Sequence, residues 1–167
     1  MRKPIATVLA LVLAAAPVLP ALAAPPAAKV LTQASLDKFL KDLPSVMKEL
    51  EKLGNDLEEK AGLDEDSREE GEPLDMAAIR TAMKALYADA KVKAVLARYG
   101  WTENFFELYV VVAIGISYLA FEDAYAMYPM AEMKAMMDQI KAGVHADDLA
   151  LVKANRGRVE AALDWDD

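Results

Sequence analysis

The chain has 167 residues, no cysteine, and a net charge of −8 from 27 acidic and 19 basic side chains. Surplus negative charge repels nucleic acid and anionic membrane surfaces, so neither is an expected partner. The lack of thiols removes zinc–thiolate sites, covalent haem attachment, thiol catalysis and disulfide staples together.

The N-terminus reads as an export signal. Arg2 and Lys3 precede the apolar run Ile5 to Ala16, Pro17 and Pro20 end it, and Ala21-Leu22-Ala23 supplies a small-x-small cleavage pattern. The run is shorter than the ~20 apolar residues of a membrane span. No cysteine follows it to carry a lipid. The expected organisation is a signal peptide over 1–23, a Pro/Ala-rich tether over 24–30, and a helical domain over 31–167 with an acidic loop at 58–75. The expected destination is the periplasm, without stable membrane insertion after cleavage. Removing the signal leaves 167 − 23 = 144 residues and a charge of −8 − 2 = −10. A chain of that size buries about 68–70% of its unfolded surface, enough for one core.

Helical spacing recurs along the rest, and no useful stretch alternates with period two. Thr32 is a good N-cap, with Leu31 placed to staple onto Leu36. Leu36, Leu40, Leu43, Met47, Leu50 and Leu57 then form one apolar seam. Pro44 lies inside it and predicts a kink or two short helices. Between Glu58 and Asp75 stand nine acidic residues, two glycines and a proline, a solvated loop by composition. Asp64 and Asp66 suggest a calcium loop, but Arg68 and Glu69 stand where that template needs an oxygen ligand and a glycine.

Asp75 is placed to cap the next helix, with Leu74 stapling onto Ile79 and a seam of Met76, Ile79, Met83, Leu86 or Tyr87, and Ala90. Val92, Val95, Leu96 and Tyr99 continue it or begin a second helix that Gly100 ends. Thr102 is the expected N-cap of a helix from Glu103 to about Met127, with Trp101 stapling onto Phe106. Leu108 to Phe121 holds no formal charge on any face. It reads as a central helix surrounded by others, with Ala113, Gly115, Ser117 and Ala120 allowing close approach. Pro129 suits the first position of a further helix that Gly143 closes. The last helix opens with Asp147 and Asp148, whose charges complement its dipole, and Gly157 interrupts it. The fold expected is an all-α, single-domain antiparallel bundle of five to six helices.

Three groupings carry candidate chemistry. Met127, Met130, Met133, Met136 and Met137 suit Cu(I) by ligand type, yet Met130, Met133, Met137, Ile140 and Val144 step by 3 and 4 as a packing seam. His145 is the only histidine. It cannot supply a di-iron site, and a non-covalent haem would want it along a core face instead of at a helix start. Tyr118, Phe121, Tyr125 and Tyr128 form an aromatic stripe with Glu122 inside or beside it. That stripe is either a core seam or the wall of a groove for an amphipathic ligand or partner segment. No nucleophile–histidine set, glycine-rich phosphate loop or other active-site motif is present, so no enzyme is expected.

Three stretches bear a resemblance: Leu31-Thr32 with Leu36, Phe39, Leu40, Leu43 and Pro44; Tyr99-Gly100-Trp101-Thr102; and Asp147-Asp148-Leu149-Ala150-Leu151-Val152. Together they resemble a group of exported helical proteins from proteobacteria. The resemblance implies a helical, exported chain and carries no active site. The reading that follows is a periplasmic binding protein for a small amphipathic ligand or a protein partner. Tyr118, Glu122, Tyr125 and Met130 are its candidate binding residues, with no cofactor. Alternatives are a chaperone-like protein, or a copper or haem carrier using the Met cluster and His145.

Overall fold

The computed structural model describes residues 28–53 and 76–163. Among these every regular element is a helix: α1 Gln33–Glu51, α2 Met76–Ala88, α3 Ala90–Arg98, α4 Asn104–Met127, α5 Ala131–Gly143, α6 Ala146–Ala154 and α7 Arg156–Leu163. The protein is therefore all-α, with seven helices among the described residues where five or six were expected. The signal segment, Leu57, the acidic loop, Leu74, Asp75 and the last four residues lie outside the described residues, as does the side chain of Met76.

Two breaks set the count: the one the sequence left open between Ala88 and Ala90, and one inside the expected last helix. Asp89 separates α2 from α3 because its side chain accepts the Lys91 amide at 2.8 Å, making it the N-cap of α3. Asn155 separates α6 from α7: its Nδ2 donates to the Leu151 carbonyl at 2.9 Å, and its own amide also reaches Leu151 and Val152. The interruption expected at Gly157 falls at Asn155, since an amide side chain competes with the helix for backbone partners. Pro44, by contrast, does not divide α1. It is exposed, on the side away from the buried seam, where a missing amide costs least.

The chain forms two compact units, to which α1 and α4 both contribute. The first unit holds Asp42–Glu107. Here Leu43, Val46, Met47 and Leu50 of α1, Ile79, Ala82 and Met83 of α2, and Val92, Val95 and Leu96 of α3 are all buried. α3 ends in a Schellman turn: the Gly100 amide donates to Ala97 O at 3.0 Å and the Trp101 amide to Leu96 O at 2.9 Å. Gly100 takes φ +67°, a left-handed geometry that a side chain would strain. The turn aims two aromatic donors at α1. Tyr99 Oη donates to Glu49 Oε1 at 2.7 Å, and Trp101 Nε1 donates to Asp42 Oδ2 at 3.0 Å. Asp42 and Glu49 are seven apart and share one helix face, and Arg98 pairs with the second oxygen of Glu49. The Trp101 ring stands edge-on to Phe105 at 5.6 Å. Asn104 Oδ1 accepts from both Thr102 N and Thr102 Oγ1, and the helix begins at Asn104.

The second unit holds, among the described residues, 28–41 and 108–163. Thr32 and Ser35 cap α1 reciprocally: the Ser35 amide donates to Thr32 Oγ1 at 3.1 Å, and the Thr32 amide donates to Ser35 Oγ at 2.9 Å. Leu31, Leu36, Phe39 and Leu40 are buried below that cap. Phe39 meets the ring of Tyr109 edge-on at 6.4 Å. On α4 every residue from Leu108 to Leu119 is buried or half-buried. Gly115 is where α6 comes closest: a methyl there would sit 3.0 Å from both Val152 methyls. Of the small residues expected to permit close approach, Ala120 is exposed.

The strongest polar device in this unit is Asp148. It is fully buried, and its two carboxylate oxygens accept the amides of Val30 and Leu31, each at 2.9 Å. Its neighbour Asp147 pairs with Lys29 at 2.9 Å. The expected role of these two acids was to complement the dipole of a helix start. The structure adds a second role, because they anchor the entry of α1. Further along, Gln33 and Asn155 exchange amide hydrogen bonds at 3.4 Å, and Arg158 reaches Asp37 at 2.8 Å.

Candidate functional site

The aromatic stripe of α4 divides by depth. Tyr118 is buried, with its hydroxyl 3.5 Å from Glu122 Oε1 and Lys141 Nζ 5.4 Å from its ring centroid. Hydrogen bonding to the Tyr118 hydroxyl, then the charges nearby, holds the Lys141 ammonium above the usual lysine value. Glu122 Oε2 accepts from Lys153 Nζ at 2.5 Å, and this bond likewise raises the Lys153 pKa. The inner pair of the four candidate residues is thus covered by α5 and α6 lysines. Phe121 and Tyr125 are half-buried, and Tyr128 is 71% exposed.

At the outer end the chain turns from α4 into α5, and there the apolar side chains stand in solvent. Met127 is 69% exposed and Met130 51%; with Tyr128 they are the exposed large hydrophobics among the described residues. Pro129 between them is exposed too, and the first helical residue after it is Ala131, so Pro129 precedes the helix instead of opening it. Met130 occupies the N-cap of α5 with extended backbone (φ −115°, ψ 141°) and no side-chain hydrogen bond to the helix. Serine, aspartate or asparagine at such a position satisfies a free amide, and a thioether does not. The residue that sequence alone places in a packing seam is therefore an exposed apolar cap.

The other candidate groups are held in structural roles. His145 is the N-cap of α6, its Nδ1 accepting the Asp147 amide at 3.1 Å. Met137 is buried, and Met133 and Met136 are half-buried on α5. Among the described residues no three His, Cys, Asp or Glu side chains converge as metal ligands. α4 is long and apolar enough to cross a membrane by length and composition, and 56% of its most apolar window is buried within the protein. Sequence reasoning named Met130 as a candidate but could not show that Met127, Tyr128 and Met130 stand in solvent, because the same spacing fits a packed seam equally well. The usable signal was a methionine standing where a capping residue belongs.

The chain matches no family model, no curated protein and no solved structure. Its functional reading rests on the geometry of the corner and its surroundings.

Proposed function

We propose that the protein is an exported helical binding protein, and that a protein partner docks on the apolar corner formed by Met127, Tyr128 and Met130. The half-buried rings of Tyr125 and Phe121 line α4 beside it. The observation that carries this reading is Met130 at an N-cap. An uncapped helix start forgoes about 1 kcal/mol relative to a serine or aspartate there. Positions that break a local stability rule while presenting apolar surface are where binding function is expected. Methionine and tyrosine are also the side chains that adapt to a partner at low cost.

The same surface supports a chaperone-like reading, in which Met127, Tyr128 and Met130 hold unfolded clients. A small amphipathic ligand is less favoured, since Tyr118 and Glu122 are already engaged by lysines.

The test is Met130→Ser in the full chain, combined with a photo-crosslinking residue at position 128 and a control at exposed Lys84. The expected result is a discrete adduct from position 128 only, weakened by Met130→Ser, while the variant itself becomes more stable. Unchanged adduct yield, or equal yields from positions 128 and 84, would remove the docking surface. Suppressed aggregation of an unrelated unfolded protein, lost in the same variant, would move the reading to a chaperone.

A further inference from the structure

The described methionines lie at different depths, with Met133 and Met136 half-buried between the extremes. Met47, Met83 and Met137 are 4%, 6% and 9% exposed, whereas Met127 and Met130 stand open at 69% and 51%. The two open thioethers flank a three-bond corner whose residues Tyr128, Pro129 and Met130 belong to no helix, and Met130 is already extended. Oxidation of methionine follows access to the sulfur, and its reversal requires a reductase to receive the sulfoxide in its own cleft. Met130 in the non-helical corner and Met127, the last residue of α4 before it, are both open to solvent, whereas a methionine buried within a helix is not.

We propose that Met127 and Met130 form a reversible oxidation site that hydroperoxides reach before any other described methionine. In the step, the thioether sulfur attacks one oxygen of hydrogen peroxide, an S–O bond forms and the O–O bond breaks. The departing hydroxide takes the proton from the transferred oxygen and leaves as water. Sulfur is oxidised by two electrons and peroxide is reduced by two. A thiol-dependent methionine sulfoxide reductase returns the thioether, with two thiols becoming a disulfide and the oxygen leaving as water. The core is spared because neither side chain contributes burial to it. The surface is not spared, since each sulfoxide places a strong dipole where an apolar contact stood. Where the product switches docking off, this inference rests on the function proposed above.

The experiment treats the full chain with graded hydrogen peroxide and follows each methionine by peptide mass mapping. Met127 and Met130 are expected to gain one oxygen several-fold faster than Met47, Met83 and Met137, with helical circular dichroism unchanged. Reductase and thiol should restore the original mass. Hydrophobic-interaction chromatography of the native protein should show earlier elution after oxidation, and Met127→Leu/Met130→Leu should abolish that shift. Equal rates across the methionines, or a shift that persists in the leucine pair, would overturn the site. Crosslinking at position 128 separates the two readings: selective oxidation without any adduct leaves the oxidation site standing and removes the docking surface. An adduct without selective oxidation does the reverse.

Discussion

Replacing Asp148 with alanine should be among the most damaging single changes to this protein. The carboxylate is fully buried and takes one backbone amide on each oxygen, both at 2.9 Å. A hydrogen bond to a charged group contributes about 1.5–3 kcal/mol, so two of them set an upper bound near 3–6 kcal/mol. The loss is partly recovered, because Val30 is half-buried and its amide can reach water once the segment loosens. Leu31 is fully buried, and its amide cannot be released without also withdrawing that side chain. The expected destabilisation is therefore about 2–4 kcal/mol, a large part of the 5–15 kcal/mol that holds a typical domain folded. It should appear as a lower urea midpoint with little change in m-value. Asp148→Asn should recover only part of the loss, because its amide nitrogen would face a backbone donor. Hydrogen exchange at Val30 and Leu31 localises the effect, and both amides should lose protection in the variant before the rest of α1. A midpoint within 0.5 kcal/mol of wild type, or unchanged protection at Leu31, would refute the role given to this carboxylate.

Gly115→Ala forces a methyl against Val152 at 3.0 Å; overpacking of about 1–3 kcal/mol exceeds the ~1 kcal/mol gain in helix propensity. Gly143→Ala meets nothing within 4 Å and should be neutral or stabilising, so opposite signs in thermal denaturation are the check. Trp101→Phe keeps a ring beside Phe105 but removes the Nε1 donor to Asp42; a loss of about 1 kcal/mol in urea unfolding is expected. Asp37 is held below the usual carboxylate range by hydrogen bonds from Arg158 and then Gln33, and Asp147 by its hydrogen bond from Lys29. Stability from these pairs is present above the ordinary carboxylate pKa and is lost as pH falls through the lowered folded values. The share of stability from these two pairs should be lost in that acid window, so the fall in urea midpoint there should be less steep in Arg158→Gln and Lys29→Gln. Met130→Ser should raise the unfolding free energy by about 0.5–2 kcal/mol, read as a higher urea midpoint, while weakening docking, a divergence that separates capping from contact.

The helical class was legible because period and punctuation agree over most of the described chain. Leu36, Leu40, Leu43, Met47 and Leu50 are buried as their spacing predicts, and Gly100 ends α3 as a left-handed glycine should. The stripe is wider than the seam suggested, since Phe39 and Val46 are also buried. The break next to Asp89 was one of two readings the spacing allowed, whereas the break at Asn155 was hidden because a polar residue within a helical pattern looks the same as a solvent-facing one. The role of Asp148 had no local signature at all: its partners are amides near the start of the chain, and backbone groups leave no mark in a sequence. For the candidate site, spacing placed Tyr118, Glu122, Tyr125 and Met130 on neighbouring turns. It could not say that lysines from α5 and α6 cover the first two and that solvent meets the last.

The anchoring of α1 also fixes when the fold can close. Leu31 and Lys29 find their carboxylates 117 and 118 residues downstream, Asp37 finds the Arg158 guanidinium 121 downstream and Gln33 the Asn155 amide 122 downstream. A chain that emerges at about 5–20 residues per second must wait roughly 6 to 23 s between making Leu31 and making Asp148. Through that interval the start of α1 has its cap and its internal hydrogen bonds but no anchor, whereas Leu43, Val46, Met47 and Leu50 belong to the first unit, whose residues are all made by Glu107. Contacts of this span are the slow ones in folding, since loop closure must precede the bonds that reward it. The second unit is thus locked by the last quarter of the chain to appear.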